Sequence, residues 1–173
     1  MRAKKKMKTK NQGKKRRNVY FICLSAIIAA LYVVLTLISA AFGLSSGVIQ
    51  LRISEALCIL PYFTPAAISG VTIGCLISNI LTSGNPLDII FGTLATFIGA
   101  LGGYFLRRRK WFVSIPTVIS NAVIIPLVLV YGFSVPESLP FLALTVGVGE
   151  FISASVFGMI FLLVLEKYNF KLR

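Results

Sequence analysis

The sequence predicts an all-α polytopic membrane protein of six transmembrane helices, and three observations carry that reading. Hydrophobic residues make up 57% of the 173 and charged residues only 13%, with a mean hydropathy of +0.88. A soluble domain of this length cannot cover so much apolar surface with so little charge. The apolar residues gather into runs near twenty long, the length a helix needs to cross a bilayer. The net charge of +13 is also segregated: ten of the eighteen basic residues lie between Arg2 and Arg17, and four more form the run Arg107, Arg108, Arg109 and Lys110. Each basic cluster abuts an apolar span. The sequence therefore points to membrane topology and anionic lipid as the partner of these clusters, and not to nucleic acid.

The basic segment 1–18 has few apolar residues to bury and is expected to be a disordered cytoplasmic tail, with residues 19–173 forming the membrane domain. The first span runs from about Val19 to Phe42; at roughly 24 residues it is too long for the apolar core of a signal peptide and is expected to be retained. The next apolar stretch is interrupted by Pro61-Tyr62-Phe63-Thr64-Pro65. Proline removes a backbone donor and biases its predecessor away from the helical region, so two helices are expected, about Ile53 to Tyr62 and Pro65 to Leu81. Thr82-Ser83-Gly84-Asn85 reads as a turn, and Pro86 opens a fourth span that stops at Leu106 before the arginine run. A fifth covers about Trp111 to Phe133 and a sixth about Leu139 to Leu165.

Six crossings with the N-terminus inside place the tail, the Arg107–Lys110 run and the C-terminal Lys167, Lys171 and Arg173 in the cytoplasm. The loops near 43–51, 82–86 and 134–138 then face outward and contain no Lys or Arg, in keeping with the positive-inside rule. Five crossings would put the C-terminal cations outside. Small residues at four-residue spacing mark helix packing: Ala26 and Ala30, then Gly70, Gly74 and Ser78, then Ala95, Gly99 and Gly103. The Ala26/Ala30 pair serves either packing within the chain or contact with a partner subunit.

Charged groups inside a bilayer are costly and each needs a reason. Glu150 lies about three turns into the last helix, after Gly147 and Gly149. It is either protonated and bonded to a neighbouring helix or a ligand contact in a cavity, and no Lys or Arg inside the spans accompanies it. Asp88, in the first turn of the fourth helix, either favours the helix dipole or binds. Arg52 and Glu55 are three apart and either pair with each other or meet substrate at the outer mouth. Asn121, in the middle of the fifth helix, bridges helices or reads a ligand; Asn79 is a weaker candidate near the outer end of the third. Glu55, Asp88 and Glu150 all fall in the outer half of the membrane, which suits a neutral or cationic solute rich in hydrogen-bond donors.

The missing patterns narrow the mechanism. Cys23, Cys58 and Cys75 sit in apolar segments, make no CxxC pair and have no histidine beside them, so neither disulfide nor metal is expected. There is no GxxxxGK[ST] phosphate loop, no HExxH and no Ser/His/Asp set, so neither ATP hydrolysis by that loop nor enzymatic catalysis is indicated, and no cofactor is implied. A transporter built this way takes its energy from partners.

The stretch from Leu51 to Arg108 closely resembles the QueT family, through RISEAL, PYFTPAA, the G-x-x-I-G-C-L-I-S-N block and LDIIFGTLAT. ISNA around Asn121 and GVGE ending at Glu150 extend the likeness, which covers essentially the whole chain after Asn18. The basic tail is the main departure. The resemblance implies a six-helix substrate-binding (S) component of an energy-coupling factor (ECF) importer, a membrane subunit that joins a transmembrane coupling protein and two ATPases. It also implies a queuosine precursor as substrate, 7-aminomethyl-7-deazaguanine or queuine. On that reading Glu150, Asp88, Glu55, Arg52, Asn121 and Asn79 bind substrate, the loop from Gly43 to Gln50 caps it, and Ala26 and Ala30 dock on the coupling protein. The alternatives are an S component for another vitamin, or a small membrane enzyme or scaffold.

Overall fold

The computed structural model describes the backbone of residues 2–44 and 51–168, and side chains within 15–44 and 51–168. The described residues form an all-helical bundle. Helix α1 spans Arg2–Ala41. Its backbone is helical from Arg2, where the sequence had led us to expect a disordered tail; Lys, Arg, Met and Gln fill that segment and are good helix formers. Gly43 ends the helix in the left-handed conformation, φ 68°. Gly43 N bonds Ala40 O and Leu44 N bonds Ser39 O, both at 2.9 Å, the paired closure that lets a glycine satisfy the last carbonyls. Beyond Leu44, the loop expected to cap the pocket lies outside the described residues.

Helix α2, Ile53–Tyr62, is wound as a 3₁₀ helix with Pro61 inside it, and Ser54 to Pro61 are buried on every side. A helix with no exposed face belongs in the middle of a bundle, and α2 sits there. Helix α3 spans Ala66–Thr82. A turn with Gly84 at φ 64° leads to α4, Asp88–Leu106, whose first stretch Asp88–Gly92 is π-helical. After a short 3₁₀ turn at Lys110–Phe112, α5 covers Ile115–Phe133 with a buried Pro126. Helix α6 runs Leu139–Lys167 and is π-helical across Phe151–Phe157.

Two of the small-residue ladders hold neighbouring helices at close range. A Cβ on Gly74 would lie 2.6 Å from Tyr32 Cβ, and one on Gly70 2.8 Å from Ile28 Cβ, so α3 packs on α1 through bare backbone. On α4, a Cβ at Gly99 would meet Thr117 Cα at 2.6 Å and one at Gly103 would meet Val113 O at 2.8 Å. Ser120 Oγ closes the same α4–α5 seam by donating to Ala95 O at 2.9 Å. Ala26 and Ala30 belong to neither seam. Both remain exposed on α1.

The bundle is apolar outside and polar within. Ile22, Phe105 and Leu144 are each more than 60% exposed, while Glu55, Asn79, Asp88, Asn121 and Glu150 are buried. That is the arrangement helices need in lipid, where exposed polar groups find no water. Among the described residues four segments are long and apolar enough to cross a membrane: Lys15–Ala41, Asp88–Leu106, Lys110–Phe133 and Leu139–Lys167. Helices α2 and α3 are apolar but shorter; ten residues of 3₁₀ helix rise only about 20 Å against a hydrocarbon core of about 30 Å. The six helices expected from sequence correspond to four long helices and two shorter ones, of which the four long ones have the length of a membrane span.

At the end of the bundle that carries the arginine run, Lys110 Nζ pairs with Glu166 Oε2 at 2.9 Å and Tyr62 Oη donates to Glu166 Oε1 at 3.0 Å. These contacts tie the ends of α2 and α6 to the start of α5. The opposite end holds Arg52, Ser83, Asp88 and Val135 around an open cavity.

Candidate functional site: a polar chamber reached from the non-basic end

Three elements bring Arg52, Asn121 and Glu150 to one place. Arg52 precedes α2 in extended conformation, φ −107° and ψ 100°, which frees its side chain from the helix that follows. Asn121 lies on α5, one turn after the Gly99 contact has seated Thr117, and Glu150 closes the α-helical part of α6 just before the winding becomes π-helical. Together with Ile125 and Val146 they line a small cavity with about 10 Å³ open to a water centre, room for about one water molecule. Asn121 is 2% exposed and Glu150 7%; the two side chains face each other, and among the described residues neither Asn121 Nδ2 nor Glu150 Oε2 makes a well-formed hydrogen bond. Leaving a buried polar atom without a good hydrogen bond costs about 1–3 kcal/mol, so this donor and this acceptor keep hydrogen-bonding capacity inside the cavity.

A second cavity of about 470 Å³ opens beside it toward the non-basic end, lined among others by Thr36, Arg52, Thr82, Asp88 and Phe133. Arg52 and Ile125 belong to both cavities. The outer one has the volume of a small-molecule site and lies against the inner one; we call it the vestibule.

The remaining candidates divide around this axis. Asp88 lies in the π-helical turn and lines the vestibule. Asn79 is spent within the protein: its Oδ1 accepts from Arg52 Nη1 at 3.3 Å, and its Nδ2 donates to Asp88 O at 3.2 Å. Gly92 makes that possible, since a Cβ there would stand 2.8 Å from Asn79 Nδ2. Glu55 is also internal. Its two oxygens accept from Tyr32 Oη and, at 3.1 Å, from Cys58 Sγ.

Two expectations need correction. Arg52 and Glu55 do not pair; among the described residues Lys110–Glu166 is the one ion pair, and Arg52 turns to Asn79 because it lies outside the helix that carries Glu55. Nor is Glu150 without a cation, because the extended backbone at residue 52 folds Arg52 into the same cavity. The chamber is a mixed one, with Arg52 set among Glu150 and Asp88.

The profile of the QueT transporter family matches residues 22–167, most of the chain. The chain belongs to the QueT transporter family. It is 44% identical over 95 residues to the queuosine precursor transporter QueT of Lactococcus lactis subsp. cremoris (strain MG1363). That alignment covers 55% of this chain and 56% of the relative, so the match spans about half the length of each. No solved structure matches the chain. The family is one of transporters and not of enzymes, which agrees with a bundle whose long apolar helices place it in a membrane.

Sequence reasoning missed the two π-helical stretches, which begin at Asp88 and directly after Glu150. Such insertions occur preferentially at functional sites, but no local composition announces them. It also missed Tyr32, Thr36 and Ser39, buried polar groups on α1 whose four- and three-residue spacing in an otherwise apolar helix was a readable signal.

Proposed function

We propose that this chain is the substrate-binding S component of an ECF-type importer that takes up a queuosine precursor, 7-aminomethyl-7-deazaguanine or queuine. The observation that carries the reading is the facing pair Asn121 Nδ2 and Glu150 Oε2, buried in one cavity without a well-formed hydrogen bond. A deazaguanine ring presents N–H donors beside a carbonyl oxygen. Glu150 accepts from those donors and Asn121 donates to the carbonyl, so each partner answers what the other lacks. Arg52 and Asp88 meet the polar substituent in the vestibule. The relative's name supports this substrate.

The inner cavity as it stands admits about one water. Substrate therefore enters by way of the vestibule and enlarges the chamber. With the basic clusters in the cytoplasm, the vestibule faces outward and the chain acts as a receptor. Six crossings satisfy this orientation if the short helices α2 and α3 complete their passages within the bundle, where protein and not lipid surrounds their ends. ATP hydrolysis belongs to partner subunits, since the chain has no phosphate-binding loop. The exposed Ala26 and Ala30 offer α1 as the face for the coupling protein.

The test is queuosine content of tRNA in a host unable to synthesise it, supplied with 7-aminomethyl-7-deazaguanine or queuine. Queuosine should appear only when this chain and the coupling module are both expressed. Equal incorporation without the chain overturns the proposal, and incorporation without the coupling module overturns its ECF part.

A further inference from the structure

Helix α1 grips the segment before and within α2 through one stripe of polar side chains. Tyr32, Thr36 and Ser39 share a face, and they meet three consecutive residues of the partner segment. Tyr32 Oη donates to Glu55 Oε1, Thr36 Oγ1 lies hydrogen-bonded to Ser54 Oγ at 2.8 Å, and Ser39 Oγ accepts from Ile53 N at 3.1 Å. Tyr32, Thr36, Ser39, Ser54 and Glu55 are all buried. Ile53 N is the kind of first-turn donor that a helix cannot satisfy itself, so the contact from Ser39 has nothing inside α2 to replace it.

The next residue toward the N-terminus is Arg52. It stands outside the helix, in extended conformation, and its side chain has a 3.3 Å bond to Asn79 Oδ1. The same side chain forms wall for both the vestibule and the Glu150 cavity. The three-rung contact immediately after Arg52 thus joins the Leu51 N–Leu44 O and Glu55 N–Arg52 O bonds in holding its backbone.

We propose that Tyr32, Thr36 and Ser39 are positioning residues that hold Arg52 as a movable partition between the vestibule and the Glu150 cavity. The proposal rests on the reading of that cavity as the substrate chamber. While the rungs are made, Arg52 closes the inner cavity to about the size of one water; when they loosen, segment 52–55 shifts and the two cavities become one. Because the stripe lies on α1, a movement of that helix reaches Arg52 directly.

The partition is tested without substrate. In the purified full chain carrying Cys23→Ala, Cys58→Ser and Cys75→Ala, a reporter Asn121→Cys is labelled with a small water-soluble methanethiosulfonate. Labelling should be slow in this background and about tenfold faster with Ser39→Ala, Thr36→Val or Arg52→Ala, each of which removes at least one hydrogen bond holding segment 52–55. Thr36→Ser keeps the hydroxyl and should keep labelling slow. A separate reporter, Leu162→Cys, sits in the fully buried core near Val113 and should stay unreactive throughout. Unchanged rates at Asn121→Cys overturn the proposal, as does equal acceleration at Leu162→Cys, which would mean general loosening. If the partition behaves as stated but the chain fails to bind 7-aminomethyl-7-deazaguanine, the substrate assignment falls and the partition stands.

Discussion

Replacing Glu150 by Gln separates a binding role from a structural one, because the two roles move stability in opposite directions. The side chain is 7% exposed and its Oε2 makes no well-formed hydrogen bond among the described residues, so the unliganded protein already bears part of the cost of a buried carboxyl oxygen. Gln has the same shape without the charge. Arg52 lines the same cavity but forms no ion pair with Glu150, so replacing the acid relieves more desolvation than it loses in attraction, and the unliganded chain should become more heat-stable. Binding should suffer. A charge-assisted hydrogen bond contributes about 1.5–3 kcal/mol against about 0.5–1.5 for a neutral one, so roughly 1 kcal/mol is lost from the bond alone. If the amide presents its NH2 to the ring, two buried donors then face each other, at a further cost of about 1–3 kcal/mol. The sum, about 2–4 kcal/mol, corresponds to a roughly 30- to 1,000-fold weaker Kd. Titration calorimetry with 7-aminomethyl-7-deazaguanine and thermal unfolding of the ligand-free protein read the two effects on one preparation. An affinity within twofold of the parent, or a ligand-free protein that melts earlier, refutes the reasoning.

The packing seams make a second prediction. Gly74→Ala should cost about 1–3 kcal/mol, since its Cβ would lie 2.6 Å from Tyr32 Cβ and α1 must move away, whereas Gly147→Ala, whose Cβ meets Ala122 at an ordinary 3.5 Å, should be neutral or mildly stabilising in thermal unfolding. Ala26→Trp and Ala30→Trp, on the exposed face of α1, should leave binding to purified protein intact and abolish uptake in cells; loss of binding would show that they serve the bundle itself. Lys110→Ala removes an ion pair whose side chains are 35% and 31% exposed, so its effect on unfolding should stay below about 1 kcal/mol and shrink further at high salt.

Much of the chamber was legible residue by residue. Glu150 and Asn121 stand out because a polar group in an apolar run carries a penalty that composition alone reveals. Gly74 and Gly99 were readable as packing positions for the same local reason, small side chains at one-turn spacing. Of the two readings of Arg52 and Glu55, pairing fails because three-residue spacing puts two side chains on one face only when both lie in one helix. Arg52 does not; the helix starts after it. Glu55, placed by its position at an outer mouth, is instead turned inward to Tyr32 and Cys58. The mixed charge of the chamber followed from that one change of direction.

The sequence by itself determined that this chain belongs in a membrane, where its apolar segments begin and end, and which polar residues had to be shielded from lipid. Those are properties of individual residues and short runs, because transfer into hydrocarbon is priced side chain by side chain. Only the tertiary structure decided which of the shielded groups meet. Tyr32 and Asn79 use up Glu55 and part of Arg52, while Asn121 Nδ2 and Glu150 Oε2 are left without a well-formed hydrogen bond. Hydrogen bonding is short-ranged and directional, so its outcome depends on how glycine seams and π-helical turns set neighbouring helices within a few tenths of an ångström.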